Sequence, residues 1–193
     1  MTRAREFDEE ASVEGAMRLF WQKGFDAAPL PELLDAMQLS RGSFYNAFGA
    51  KKSVLIEAIQ RYMDGGMDGV LLPLFRPEAG RKEIEQAFAR MVAHTAGPKG
   101  RHGCLVNNCM TEVADRDPLL RRALVVARAR VEDGFARAVE RGQADGTIAR
   151  RDDPRSIGRF LMNNFSGLNV ASKGRPGRVV LADIARVTLK ILD

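Results

Sequence analysis

A chain of 193 residues, 45% hydrophobic, is long enough for one ordinary domain or a small domain joined to a larger one, and its mixed charges argue against a disordered polymer. The formal charge of +5 permits a polyanionic partner without requiring one. Two cysteines are too few for a disulfide framework, the opening MTRAREFDEE lacks the apolar run of a signal peptide, and no apolar stretch approaches the ~20 residues that span a bilayer, so a soluble, cytoplasmic protein without a membrane partner is expected.

Apolar–polar alternation of the strand type never persists, whereas helical spacing recurs along the whole chain. The expected fold class is all-α, with about nine helices and no internal repeat. DEEASVEGAMRLFWQKG begins with acids, which suit a helix N-terminus, and closes on Lys23 and Gly24. PLPELLDAMQ predicts a short second helix with proline near its start. Ser40 is placed to cap a third, RGSFYNAF, which Gly49 ends. Residues 51–75 predict one longer fourth helix, weakened in its second half by Gly65, Gly66 and Gly69. Further helices are expected in 82–96, in 104–114 and in 115–146, the last with Asp117 as cap and Pro118 at its first position. Residues 153–174 and 177–192 predict the final two. A division into a small N-terminal part, residues 1–52, and a larger part, residues 53–193, is expected. The first part carries 7 Lys+Arg against 8 Asp+Glu, so any DNA binding there rests on a few placed cations.

Three short helices around Val13, Ala16, Leu19, Phe20, Leu33, Met37, Leu39, Phe44 and Phe48, with a tight MQLS joint, predict a helix-turn-helix unit. A recognition helix in a major groove needs small residues for close approach and donors for bases and phosphates. Arg41, Gly42, Ser43, Tyr45 and Asn46 supply them, while Phe44 and Phe48, four apart, hold the helix to its own core.

VEGAMRLFWQKGF and LLDAMQLSRGSFYNAFGAKKSVL resemble the DNA-binding domain of the TetR family of transcriptional regulators. The resemblance covers the first sixty residues. It implies that Ser40, Arg41, Gly42, Ser43 and Asn46 face the bases and the groove, and that Tyr45 and Lys51 contact backbone phosphates. Two positions depart from the family pattern. Ala28 and Pro29 stand where Thr or Ser usually enters helix two, and Gln38 stands where the joint usually has Gly, so strain is expected at Gln38.

Beyond residue 60 the resemblance implies a variable domain that binds a small effector and forms a homodimer. Ile157, Phe160, Leu161, Phe165, Leu168, Ile184, Val187 and Ile191 repeat at helical spacing in the last two helices and are the expected dimer interface, with Gly158, Ser166 and Gly167 as small residues for close approach. A mostly apolar effector pocket is expected from Tyr62, Met63, Met67, Phe88, Met91, Val92, Cys109, Met110, Phe135 and Met162, with His94 as a polar contact.

Cys104 opens a predicted helix behind Arg101 and His102, a setting that lowers a thiol pKa, so sensing of electrophiles or oxidants through Cys104 is an alternative to plain effector binding. No CxxC or HxxxH spacing links His94, His102, Cys104 and Cys109, so no metal and no cofactor is expected. The expected function is a ligand-responsive repressor that binds a palindromic double-stranded operator as a homodimer. From other classes, a helical interaction protein without DNA binding and, last, an enzyme using Cys104 with His94 or His102 remain as rivals.

Overall fold

In the computed structural model, which describes residues 8–67 and 69–193, Asp8 starts the first helix as its acid predicts: its carboxylate accepts the Ala11 N–H at 3.0 Å. The described residues form nine α-helices and no strand: α1 Glu9–Lys23, α2 Leu30–Met37, α3 Arg41–Phe48, α4 Lys51–Asp64, α5 Arg81–Ala96, α6 Leu105–Val113, α7 Pro118–Asp145, α8 Pro154–Lys173 and α9 Arg178–Leu189. The local signals placed the ends well. Asp117 accepts the Leu119 and Leu120 N–H groups at 2.9 and 3.1 Å, and Asp153 accepts that of Ser156 at 2.9 Å.

One boundary differs. The fourth helix does not run on to residue 75. It stops at Asp64, and a 3-10 turn follows at Leu72–Phe75. Gly66 and Met67 both take positive φ, 58° and 55°, which no α-helix accommodates. The glycine group therefore ends helix α4 outright and cannot serve as a bend within it.

The helices group into two compact units, one formed by the residues up to Asp64 with Leu105–Val125, the other by Gly65–Cys104 with Val126–Asp193. In the first unit Val13, Ala16 and Phe20 of α1 pack with buried Leu33 and Met37, Phe44 and Phe48, and Val54, Leu55 and Ala58 of α4. Leu19 and Leu39 are only half-buried. The α1–α2 crossing is close: a Cβ on Gly15 would lie 1.9 Å from the Ala36 carbonyl oxygen, and the Ser12 hydroxyl donates to the Met37 carbonyl at 2.8 Å. Several acids of this unit are matched by its own cations. The Glu14 carboxylate takes Arg61 Nε at 2.7 Å and Arg18 Nε at 3.0 Å, and Asp26 takes Arg116 at 2.5 Å.

The second unit is built round Phe88, Phe135 and Phe165, whose ring centroids lie 5.4 to 5.9 Å apart. Arg81 ties its chain end down. Its guanidinium reaches Asp193 at 2.6 Å, the Thr147 carbonyl at 2.9 Å and Glu85 at 2.9 Å.

Candidate nucleic-acid interface

Helix α3 is short and amphipathic in a specific sense. Phe44 is fully buried and Phe48 nearly so, which stabilises the docked helix by about 1.5–3 kcal/mol per ring. The two rings lie 6.1 Å apart, and Tyr45 meets Phe44 edge-on at 5.3 Å. With that side anchored, Arg41, Gly42, Tyr45 and Asn46 are exposed, Tyr45 at 50%. Nothing but the Ser40 hydroxyl, at 3.9 Å, comes near the space a Cβ on Gly42 would fill, so the backbone there is open to close approach. Ser40 caps the helix, accepting the Ser43 N–H at 3.1 Å, and the Ser40 and Ser43 hydroxyls pair at 2.9 Å.

The joint before α3 turns at Gln38, with φ 55° and ψ 41°, the left-handed conformation expected of the glycine it replaces. Helix α2 follows Pro29 without a side-chain cap, because neither buried Ala28 nor Pro29 carries a hydroxyl. Its first-turn amides are left to solvent or to an anion.

Lys51 opens α4 but is already engaged. Its ammonium donates to the Phe25 carbonyl at 2.5 Å and sits 4.5 Å from the centroid of the Phe25 ring. Burial lowers its pKa from the ordinary lysine value, against the opposing pull of Asp26 and Glu112. The same loop is gripped from the other side by α6. Glu112 accepts the Phe25 N–H at 2.9 Å and the Asp26 N–H at 2.7 Å, and Arg116 pairs with Asp26. The Lys51–Phe25–Glu112 arrangement fixes the α1–α2 corner, and therefore α3, to α4 and α6. Glu112 escaped the sequence reading because its partners lie 87 and 86 residues away.

The expected effector-pocket residues fall in both units. Tyr62, Met63 and Cys109 are buried and Met110 half-buried in the first, where Tyr62 meets Trp21 edge-on at 5.5 Å. Met67, Phe88, Met91, Val92, Phe135 and Met162 are buried and His94 half-buried in the second. Phe88 and Phe135 fill space against each other and Phe165, as core residues do.

Half of the expected dimer residues lie inside the protomer. Ile157, Leu161, Phe165 and Leu168 form the inner face of α8, each at most 3% exposed. Gly158 belongs with them: a Cβ there would meet the Ala136 backbone nitrogen of α7 at 2.9 Å. The outer face carries Phe160 on α8 and Val180, Ile184, Val187 and Ile191, which share one helical repeat on the last helix and its end, joined by exposed Val170 and Val179, which periodicity alone did not single out. Gly167 lies on this side, exposed and with nothing within 4 Å of a built Cβ.

Cys104 is 7% exposed and directly precedes α6, and both cysteines are unbridged. Burial and the charge of Arg101 hold His102 below the usual histidine value, and its Nε2 accepts from Arg101 Nε at 3.2 Å. The described residues contain no group of His, Cys, Asp and Glu able to hold a metal ion, and no helix is long and apolar enough to cross a membrane.

Two family profiles match the chain, one described as bacterial regulatory proteins, tetR family, over residues 13–58, and one as tetracyclin repressor-like, C-terminal domain, over residues 80–178. Among curated relatives, the HTH-type transcriptional repressor BdcR of Escherichia coli (strain K12) is 36% identical over 92% of this chain and 84% of its own length. The uncharacterized HTH-type transcriptional regulator YezE of Bacillus subtilis (strain 168) is 26% identical over the full length of both. Among solved structures, a cysteine mutant of the TetR family regulator CifR, complexed with 26-bp double-strand operator DNA, superposes with a TM-score of 0.85 at 28% identity, covering 99% of this chain and 100% of that one. The reduced form of E. coli NemR shares the fold, with a TM-score of 0.84 at 21% identity over 95% and 96% of the two chains. A helix-turn-helix with an exposed polar α3, followed by a helical C-terminal domain matched over residues 80–178, makes this chain a member of the TetR family of transcriptional regulators.

Proposed function

We propose that the protein is a cytoplasmic repressor, that it binds a palindromic operator as a homodimer, and that a small-molecule effector bound in residues 53–193 releases it. The observation that carries the DNA-binding part is the exposed polar side of α3 on a helix pinned by Phe44 and Phe48. Arg41 and Asn46 read base edges, and Gly42 and Ser43 let the backbone approach. Tyr45 contacts phosphate. Lys51, with one hydrogen bond spent on Phe25, acts chiefly as a local positive charge and a brace. The uncapped α2 N-terminus supplies amides to a phosphate where a serine or threonine hydroxyl is lacking.

The second copy covers the outer face of Phe160, Val170, Val180, Ile184 and Val187, large apolar side chains left exposed on α8 and α9. Two α3 helices related by the dimer axis then enter successive major grooves about 34 Å apart. Release follows when effector binding displaces α6, because Glu112 carries that displacement to the Phe25–Asp26 backbone and so to α3. Sensing through Cys104 has less support, since its thiol is buried and His102 is held below the usual histidine value. Both cysteines are buried in the core, which favours a regulator over an enzyme that uses Cys104.

Fluorescence anisotropy on duplex DNA over a salt series tests this. Affinity should fall steeply with salt, Tyr45→Ala should weaken binding on every sequence, and Arg41→Ala should also change sequence preference. Salt-independent or absent binding overturns the proposal.

A further inference from the structure

The end of α5, the 3-10 turn Pro98–His102 and the corner between α8 and α9 enclose a cleft of about 410 Å³ within the second unit. Three arginines line it, Arg101, Arg175 and Arg178, and no acid does. Arg175 and Arg178 have no carboxylate partner among the described residues, and Arg101 donates from Nε to an uncharged acceptor, Nε2 of His102, at 3.2 Å. Two other arginines of this unit are paired with acids, Arg81 with Glu85 and Asp193 and Arg155 with Asp133 and Glu132. Three exposed guanidinium groups gathered round one small cavity give it a positive potential, which favours an anion inside it.

Two further features act in the same direction. Helix α9, twelve residues long, starts at Arg178 with Gly177 as its cap and no side-chain hydrogen bond to its first amides, so its positive end opens on the arginines. Arg175 is held at φ 54°, in the left-handed region, although Gly174 beside it takes an ordinary φ of −77°. A glycine at 175 would relax the corner but would remove the guanidinium. The Ser172 hydroxyl is spent on the Asn169 carbonyl at 2.8 Å, and Pro98, Pro176 and Leu181 give the cleft an apolar wall.

We propose that this cleft binds a small, multiply charged organic oxyanion, a polycarboxylate or a phosphate ester, whose charged groups meet Arg101, Arg175 and Arg178 and whose carbon skeleton lies against Leu181 and the two prolines. Its volume sits at the small end of ligand sites, which suits a compact metabolite rather than a nucleotide cofactor. That the ligand is the effector rests on the repressor reading above; that the cleft holds such an anion does not.

Isothermal titration and thermal melting of the DNA-free protein test it, with citrate, glycerol 3-phosphate and inorganic phosphate as probes and sodium chloride at matched ionic strength as reference. Saturable binding of citrate or of glycerol 3-phosphate is expected, and which of the two binds separates the carboxylate from the phosphate source. Arg178→Gln and Arg175→Gly should each weaken it at least tenfold, while Arg175→Gly should melt higher than the parent without ligand. Because no DNA is present, failure of operator binding cannot mimic a negative result. No saturation beyond the chloride reference, or saturation unchanged in both variants, overturns the proposal, as it would if an acidic side chain of a second copy already fills the cleft.

Discussion

Gly15→Ala sets two opposed effects against each other. Alanine is the better helix former by up to about 1 kcal/mol, which predicts stabilisation at an internal position of α1. The added methyl, however, would stand 1.9 Å from the Ala36 carbonyl oxygen and 2.9 Å from its carbon. That obstacle is backbone, so no side chain can turn away; α1 and α2 must part by more than 1 Å. Parting them opens the buried seam between α1 and α2 and stretches the 2.8 Å hydrogen bond from Ser12 to Met37. Overpacking of this kind costs about 1–3 kcal/mol, and a rigid obstacle places it toward the upper end. Net destabilisation of about 2 kcal/mol follows, a fall of roughly 1 M in the urea midpoint at ordinary m-values. Trp21, the single tryptophan, is buried in α1 against Tyr62 and reports this unit by fluorescence. Gly42→Ala is the internal control, because its methyl meets only the Ser40 hydroxyl, at an ordinary 3.9 Å; it should leave the midpoint unchanged or slightly raised while weakening operator binding. A Gly15→Ala midpoint equal to or above the parent would refute the close-crossing argument.

Glu112→Gln should weaken the grip on the α1–α2 corner, since a neutral amide accepts these two N–H groups less strongly than a carboxylate; a loss of about 1–2 kcal/mol corresponds to roughly tenfold faster hydrogen exchange at Phe25 and Asp26. Exchange unchanged at those two amides would remove Glu112 from the coupling route. Gln38→Gly relieves a left-handed residue and should stabilise the protein by about 1 kcal/mol, read as a higher melting temperature, and a lower one would show that the Gln38 side chain matters more than its backbone. Burial pushes the Glu14 carboxyl up, but hydrogen bonds and charge from Arg61 and Arg18 outweigh it and hold its pKa below the usual range. A depressed folded-state pKa stabilises the folded form above about pH 4.5, and that stability is lost as pH falls through the lowered value. Arg61→Ala should therefore flatten the acid limb of the stability profile monitored by Trp21.

The sequence spoke most clearly where structure is local. Asp8, Asp117 and Asp153 each cap a helix through amides two or three residues away, and a hydroxyl or carboxylate ahead of an apolar repeat announces that directly. The helix-turn-helix was legible for the same reason, as Phe44 and Phe48 share one face by spacing alone. The faces of α8 were not. Its apolar residues recur on two sides, and periodicity cannot say that Leu161 and Phe165 turn to the protomer's own core while Phe160 and Val170 do not. The end of α4 was misplaced because glycines that weaken a helix and glycines that stop it look alike until φ is known. Glu112 on Phe25, and the meeting of Arg101 with Arg175 and Arg178, join residues more than seventy positions apart, beyond any local pattern.

The most direct test of DNA recognition by α3 of a two-fold dimer is selection of bound duplexes from a random pool, with affinity measured on the enriched site for the parent protein and for Arg41→Ala. The expected result is a palindromic motif whose half-sites lie one helical turn apart or a close multiple, with Arg41→Ala relaxing preference at a symmetric pair of base positions. A pool that yields no motif, or an asymmetric motif indifferent to Arg41→Ala, would contradict it.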